Sequence, residues 1–315
     1  MKKLFGLLSC AVVLGIGCTK ISLNEDSTIE PTPAVTSNLT HRGCASEEVL
    51  QQQLKDDPTL AARMEAIESF TAKYQQNPSA YRLLANGIIE IPVVVNVVYY
   101  TEAENISAAQ IRTQIDVLNK DFSGTNSDIG NVPTIFRGVK AGDVGVRFVL
   151  DNIIRRSTFQ TSFSTDNGVK KGSTGGIAPT SPTTKLNMWS CNLGGGVRGY
   201  SQYPGGASAT DGVVISYRNF GVTTEVGHWL NLRHIWGGAV CGNDFVTDTP
   251  LHTGANRGCP ASGVTSSCTG SPVMMTMNYM DYTDDLCMYM FSAGQKTRMF
   301  ANFVAGGART SFSTP

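Results

Sequence analysis

The segment TTEVGHWLNLRH, from Thr223 to His234, places a carboxylate and two imidazoles at a spacing that constrains the local fold. Positions 224 and 228 lie one turn apart on the same face of a helix, with Glu225 beside them. His234 comes six residues after His228, so a continuing helix would carry it to the wrong side. The helix must therefore end between the two histidines if both are to reach one point. Asn231 lies in this interval, and asparagine is second only to glycine in tolerating the left-handed backbone of such a break.

The spacing matches the long zinc-protease signature H-E-x-x-H-x-x-G-x-x-H, which is followed downstream by a Met-turn. Glu225, His228 and His234 occupy their places in this signature, whereas Thr224 stands at the first histidine and Asn231 at the glycine. Catalytic zinc sites use three protein ligands and leave one position for water, and a threonine hydroxyl is not among the usual donors. The sequence therefore predicts a zinc site that lacks its first ligand and binds the metal weakly.

Several longer segments resemble the pappalysins, a family of metzincin zinc endopeptidases related to pregnancy-associated plasma protein-A. The resemblance covers nearly all of residues 86–305. Its segments are IPVVVNVVYY, IRTQIDVLNKDF, LNMWSCNLGGGVRGYSQYPGG, DGVVISYRNFG, EVGHWLNLRHIWG, CGNDFVTDTP, GCP and MNYMDYTDDLCMYMFSAGQKTRM.

The resemblance implies a role for each matching residue. His228 and His234 would be zinc ligands, and Glu225 would be the general base that takes a proton from water. Met280 would be the Met-turn residue beneath the metal. Tyr282 matches the position whose phenol helps to stabilise the reaction intermediate.

The connection that leads into the signature departs from the family pattern. Relatives usually have a longer connection ending in a Thr-rich stretch and the first histidine, but here only three residues separate Gly221 from Glu225. The sequence therefore predicts an internal deletion that removed a loop, the first helical turn and the first ligand together, and a natural deletion and a sequence defect both agree with this pattern.

The segment CGNDFVTDTP carries two further candidate ligands, Asp244 and Asp248. Carboxylate and carbonyl oxygens suit a hard cation, and the resemblance implies calcium in this region. A solvated acidic loop is an equally compatible interpretation. His252 and His41 are expected to be exposed loop side chains that do not replace the missing zinc ligand.

Six cysteines follow the amino-terminal leader: Cys44, Cys191, Cys241, Cys259, Cys268 and Cys287. The last four can pair in three ways, and the lack of close C-x-x-C pairs favours disulfides over a structural zinc cluster. The resemblance implies the pairs Cys241–Cys268 and Cys259–Cys287. Cys191 lies in an apolar strand and is predicted to be a small buried side chain.

Cys44 lies in HRGCASEEVL, before the expected catalytic domain. Pappalysin-like proenzymes carry a cysteine in a similar context that caps the zinc until the prosegment is cleaved. A thiolate is a strong zinc ligand, so Cys44 is a candidate latch. The alternative is an unpaired thiol.

The amino terminus has the pattern of a targeting segment. Lys2 and Lys3 precede an apolar run from Leu4 to Ile16, which is too short for a comfortable membrane span. Cys18 follows Gly17 as in bacterial lipoprotein cleavage sites, so Cys18 is the candidate lipidated residue, with plain secretion as the alternative. We expect a leader at 1–18, a tether and prosegment at 19–85, and a catalytic domain at 86–315, outside the cytoplasm.

Apolar periodicities predict an α/β fold of the metzincin type. They indicate strands at 91–100, 144–153, 185–193 and 211–218, an amphipathic helix at 106–122 and a helical prosegment at 46–76. The expected domain has a mixed twisted sheet and the active-site helix above. The lower part of the domain is expected to be an irregular, disulfide-linked subdomain that ends in a helix near 293–303.

Charge and motif together limit the functional classes. The chain has 25 basic and 25 acidic side chains, so no net charge steers it toward nucleic acid. We expect a monomer that acts on peptides or proteins and associates with a membrane only through a lipid anchor. The prediction is a zinc metalloendopeptidase, and the alternative is a catalytically silent relative that binds peptides or proteins without cutting them.

Overall fold

The computed structural model describes residues 43–81, 87–220 and 224–313, and for Thr224 only the backbone. Outside the described residues lie the predicted leader at 1–18 with Cys18, His41 and the short connection 221–223. Among the described residues, no helix combines the length and the apolar character needed to cross a membrane.

A five-stranded mixed sheet in the order β2-β1-β3-β5-β4 organises the domain. The strands are β1 (Ile89–Tyr99), β2 (Val146–Ser157), β3 (Leu186–Cys191), β4 (Gly199–Ser201) and β5 (Val213–Ser216). The first four in spatial order run parallel, and β4 pairs antiparallel with β5 at the edge. Strands β3 and β5 are buried along their whole lengths, as expected for central strands covered on both faces.

Five α-helices accompany the sheet: α1 (Ser46–Asp56), α2 (Leu60–Gln76), α3 (Ala108–Ser123), α4 (Thr224–Trp229) and α5 (Ala293–Phe300). Helix α3 connects β1 to β2; the Ser107 hydroxyl accepts from Gln110 N at its start, and Gly124 ends it in a left-handed conformation. Helix α5 begins with a capping box formed by Ser292 and Gln295.

The predicted α/β fold is confirmed, with two differences in detail. Residues 46–76, predicted to be a helical prosegment, form two helices because Pro58 follows the end of α1 and cannot continue its hydrogen-bonding pattern. The short strand β4, which the sequence analysis did not predict, forms the sheet edge next to residues Gly43–Ala45.

Two disulfides link the irregular lower part of the domain. Cys241 bonds to Cys268 and Cys259 bonds to Cys287, the pairs that the resemblance implies. The disulfides join the chain after α4 to the chain on either side of the Met-turn. Cys191 is a free thiol buried in β3.

Candidate metal and catalytic site

The break between the two signature histidines has the backbone conformation that the sequence predicts. Asn231 has φ +71°, which lies in the left-handed region. The turn brings His228 Nε2 within 3.0 Å of His234 Nε2, and both side chains are buried. The two imidazoles therefore converge on one point.

We expect the Asn231→Gly variant to be as stable as the parent chain to within about 1 kcal/mol, because glycine adopts a positive φ freely. Asn231→Ala should lower the free energy of unfolding by about 1–2 kcal/mol, because alanine has a Cβ but lacks the short polar side chain through which asparagine tolerates a left-handed backbone. Chemical denaturation of the two variants with disulfides intact measures the difference. Equal stabilities would show that the break does not depend on the left-handed backbone.

His228 is oriented by the backbone that follows its own helix. Its Nδ1 lies 2.8 Å from the Leu232 carbonyl oxygen, which can only accept, so Nδ1 donates and Nε2 presents a lone pair. This arrangement is typical of metal-binding histidines, whose second nitrogen donates to a carbonyl or carboxylate. Burial lowers the pKa of His228 to about 4, so the imidazole is neutral at physiological pH.

His234 lies between two aromatic rings. Its imidazole stacks on Trp236, with ring centroids 4.4 Å apart, and meets the Tyr282 ring edge-on at 4.8 Å. Burial lowers the pKa of His234 well below its usual value, and the neighbouring His228 contributes in the same direction. The pair can therefore offer two neutral nitrogen donors to a cation.

Cys44 brings a third candidate donor atom to this point. Its Sγ, together with one ring nitrogen from each of His228 and His234, forms a group whose ligand atoms all lie within 4.8 Å of one another. The segment that carries Cys44 lies alongside the edge strand β4. Ala45 N donates to Gly199 O at 2.9 Å, and Arg198 N donates to Gly43 O at 3.1 Å. Strand pairing therefore fixes the position of the thiol over the histidines.

Glu225 faces the same thiol from the first turn of α4. Its Oε2 accepts from Cys44 Sγ at 3.1 Å and from Ser46 Oγ at 3.1 Å. Burial raises the pKa of Glu225 from 4.5 to about 7, so its carboxyl can gain and lose a proton near neutral pH. Burial, and then the Glu225 carboxylate, raise the pKa of the Cys44 thiol well above its usual value.

The donor set fits zinc. Two histidine nitrogens and a cysteine sulfur are common zinc ligands, and three protein ligands are the usual number at an open site. With Zn–N bonds of about 2.0–2.1 Å and a tetrahedral angle, two nitrogens on one ion lie about 3.3 Å apart. The separation of 3.0 Å between the two Nε2 atoms is close to this value.

The Met-turn lies directly beneath α4. Met280 is fully buried, and a Cβ added at Gly227 would lie only 2.4 Å from its Sδ. Asn278 Oδ1 accepts from Met280 N at 2.9 Å, and the Asn278 and Gln295 side-chain amides pair with each other. The turn is therefore fixed from the start of α5, and any side chain at Gly227 would require Met280 to move.

Tyr282 extends from the Met-turn to the thiol segment. Its hydroxyl donates to the Cys44 carbonyl oxygen at 2.8 Å. The phenol is thus placed to donate to a carbonyl oxygen of a peptide chain that lies in the cleft.

Asp244 and Asp248 lie away from this point, and both carboxylates are engaged by the protein. Asp244 is buried and accepts from Thr249 Oγ1 and Val246 N, and burial raises its pKa to about 6. Asp248 accepts from Ser292 Oγ at 2.6 Å and from Gly294 N at 2.8 Å, at the start of α5. The interpretation of this segment as a solvated acidic loop is wrong for Asp244.

The expectation that His252 is exposed is also wrong. Its side chain is fully buried; Nε2 accepts from Met275 N at 2.9 Å, and Nδ1 lies 3.6 Å from Asp281 Oδ2. Burial lowers the pKa of His252 to about 4. It is a neutral core residue that supports the Met-turn. Its loop sequence has no helix or strand periodicity that could predict this burial.

A mixed sheet, a short helix that carries Glu225 and His228, a left-handed break and a Met-turn together define a zincin-type metalloprotease. Comparisons with known proteins agree. A family model described as pregnancy-associated plasma protein-A matches residues 206–305. An extracellular metalloprotease of Pyricularia oryzae is 33% identical over 224 residues, which cover 64% of this chain and 70% of that protein.

Solved structures of mirolysin from Tannerella forsythia are also similar. A promirolysin mutant is 39% identical, with TM-score 0.78, over 86% of this chain and 97% of that chain. Mature mirolysin in complex with a cleaved peptide is 42% identical, with TM-score 0.69, over 72% of this chain and 96% of that chain. The chain belongs to the pappalysin family of metalloproteases.

Proposed function

We propose that the chain is a secreted zinc metalloendopeptidase in a latent form, with Cys44 on a prosegment as its latch. The observation that carries the proposal is the convergence of Glu225, His228, His234 and Cys44 on one point. His228 and His234 would hold zinc from the catalytic domain, and Cys44 would take the ligand place left by Thr224. Three protein ligands would thus be present only while the prosegment covers the cleft.

Cleavage requires that a peptide replace the Cys44 segment. Zinc, when bound, supplies Lewis acidity toward water and toward the peptide carbonyl. Glu225 would take a proton from the water as its oxygen bonds to the carbonyl carbon, and would pass that proton to the leaving nitrogen as the C–N bond breaks. The Tyr282 hydroxyl would donate to the carbonyl oxygen, as it now does to the Cys44 carbonyl.

The position of the latch supports latency. The Cys44 segment pairs with the edge strand β4 and contacts both Glu225 and Tyr282, so the two side chains proposed to assist cleavage are engaged at once. After its release the two histidines would hold zinc without a third protein ligand. The processed enzyme would therefore need free zinc in solution for activity.

A labelled-peptide cleavage assay tests the proposal after limited proteolysis has removed the prosegment. Cleavage that appears on zinc addition and disappears with a chelator supports it. The alternative, a silent relative that binds peptides, is favoured by Thr224 at the first ligand position. Peptide binding by equilibrium methods without cleavage at saturating zinc would support that alternative.

Location and the second metal are also part of the proposal. The names of curated relatives as extracellular metalloproteases support secretion. The assignment of residues 1–18 as leader, the lipid anchor at Cys18 and the calcium near Asp244 and Asp248 stay predictions. Radiolabelled fatty-acid incorporation into the parent chain but not into Cys18→Ala tests the anchor.

A further inference from the structure

The backbone carbonyl groups at the carboxyl end of α4 accept hydrogen bonds from side chains in the last part of the chain. Arg309 Nε donates to Trp229 O at 3.0 Å, and Asn302 Nδ2 donates to Leu230 O at 2.9 Å. Arg298 Nε donates to the next carbonyl, Asn231 O, at 2.7 Å. Helix ends leave carbonyls without intrahelical partners, and cationic side chains there also oppose the negative end of the helix dipole.

The two capping arginines differ in where their counterions lie. Arg309 pairs with both carboxylate oxygens of Asp211, at 2.7 and 2.9 Å, and Asp211 precedes β5 in the expected catalytic domain. Arg298 pairs with Glu68 Oε1 at 2.5 Å, and Glu68 lies on α2 in the proposed prosegment. The Arg298 side chain is 1% exposed, so a protein carboxylate rather than water compensates its charge.

The other groups near Arg298 do not form a direct ion pair with it. The Phe245 ring lies 5.3 Å from its Cζ, and the nearby Asp244 carboxylate accepts from Thr249 and Val246 instead. Among the described residues, Glu68 is the carboxylate that pairs directly with Arg298.

We infer that Arg298 is a positioning residue through which α2 stabilises the left-handed break that carries His234. Glu68 forms an ion pair with the Arg298 guanidinium, and the guanidinium donates a hydrogen bond to the Asn231 carbonyl oxygen. The backbone conformation of Asn231 in turn determines the position of His234. The prosegment would thus have a second role, distinct from the latch. Through the contact of Glu68 with Arg298, it would stabilise the geometry of the histidine pair. Removal of α2 would take away the carboxylate that pairs directly with this buried charge and would loosen the turn. The inference rests on the proposed assignment of α2 to the prosegment.

Hydrogen–deuterium exchange of the full chain tests the inference without added metal or substrate. Glu68→Gln should accelerate exchange of the amides at 230–235 by about tenfold or more relative to the parent chain, because it leaves the buried Arg298 guanidinium without its directly paired carboxylate. Exchange in β1 should not change. Glu65→Gln is the matched control, since Glu65 is exposed on the same helix.

A second variant separates the coupling from a general loss of stability. Arg298→Lys keeps the charge but cannot donate to Asn231 and Glu68 through one planar group, so it should accelerate the same amides. Combined with Glu68→Gln, it should add little further acceleration. Equal exchange at 230–235 in Glu68→Gln and Glu65→Gln would overturn the inference, and so would uniform acceleration that includes β1. Because the assay needs neither zinc nor peptide, its failure is distinct from failure of the proposed function.

Discussion

Zinc affinity of the full chain is expected to fall more than about 100-fold when Cys44 is replaced by alanine. Loss of an outer-shell partner alone typically costs about 10–100-fold, and removal of a direct ligand should cost more. The chain also has no histidine at position 224 to compensate. After Cys44→Ala, His228 and His234 would be the two protein ligands left at the site. Competition with a chromophoric chelator measures the change.

Cys191→Ala is the matched control, because Cys191 is the other free thiol among the described residues and lies buried in β3. It should keep the zinc affinity of the parent chain. Unchanged affinity in Cys44→Ala would contradict the account: Cys44 would then be only an unpaired thiol, and another group would complete the site.

Peptide cleavage is expected to fall about 10²–10⁴-fold in Glu225→Gln, the usual contribution of a positioned general base. Glutamine keeps the size of the side chain but cannot accept the proton of the attacking water. Because Glu225 is not placed among the metal donors, the variant should retain zinc to the same extent as the parent chain. The assay uses the processed chain at saturating zinc, with metal content measured on the same sample.

Glu90→Gln is the control for loss of a carboxylate, since Glu90 is exposed on β1 and lies in the expected catalytic domain that the processed chain keeps. It should leave cleavage by the processed chain unchanged. Cleavage by Glu225→Gln at the parent rate would remove Glu225 from the mechanism.

The sequence predicted those parts of the fold whose signal is local. The valine-rich run of β1 and the apolar spacing of α3 identify their elements directly, and the positive φ of Asn231 follows from the need to bring His228 and His234 together. Each of these predictions depends on residues within a dozen positions of one another.

Features that depend on distant contacts were missed or left open. Strand β4 has only three residues, Gly-Tyr-Ser, and exists because β5 and the Cys44 segment pair with it. His252 is buried by the Met-turn, which lies more than twenty residues away. The contact between Cys44 and Glu225 spans 181 positions, so the resemblance alone pointed to a latch. The Glu68–Arg298 pair, 230 positions apart, has no sequence signal.

The most direct test of the account is the zinc content of the purified full chain after dialysis against metal-free buffer, measured by elemental analysis. Cys44, His228 and His234 should together retain one zinc per chain. A chain that is folded by circular dichroism and retains no zinc would contradict the proposed donor set.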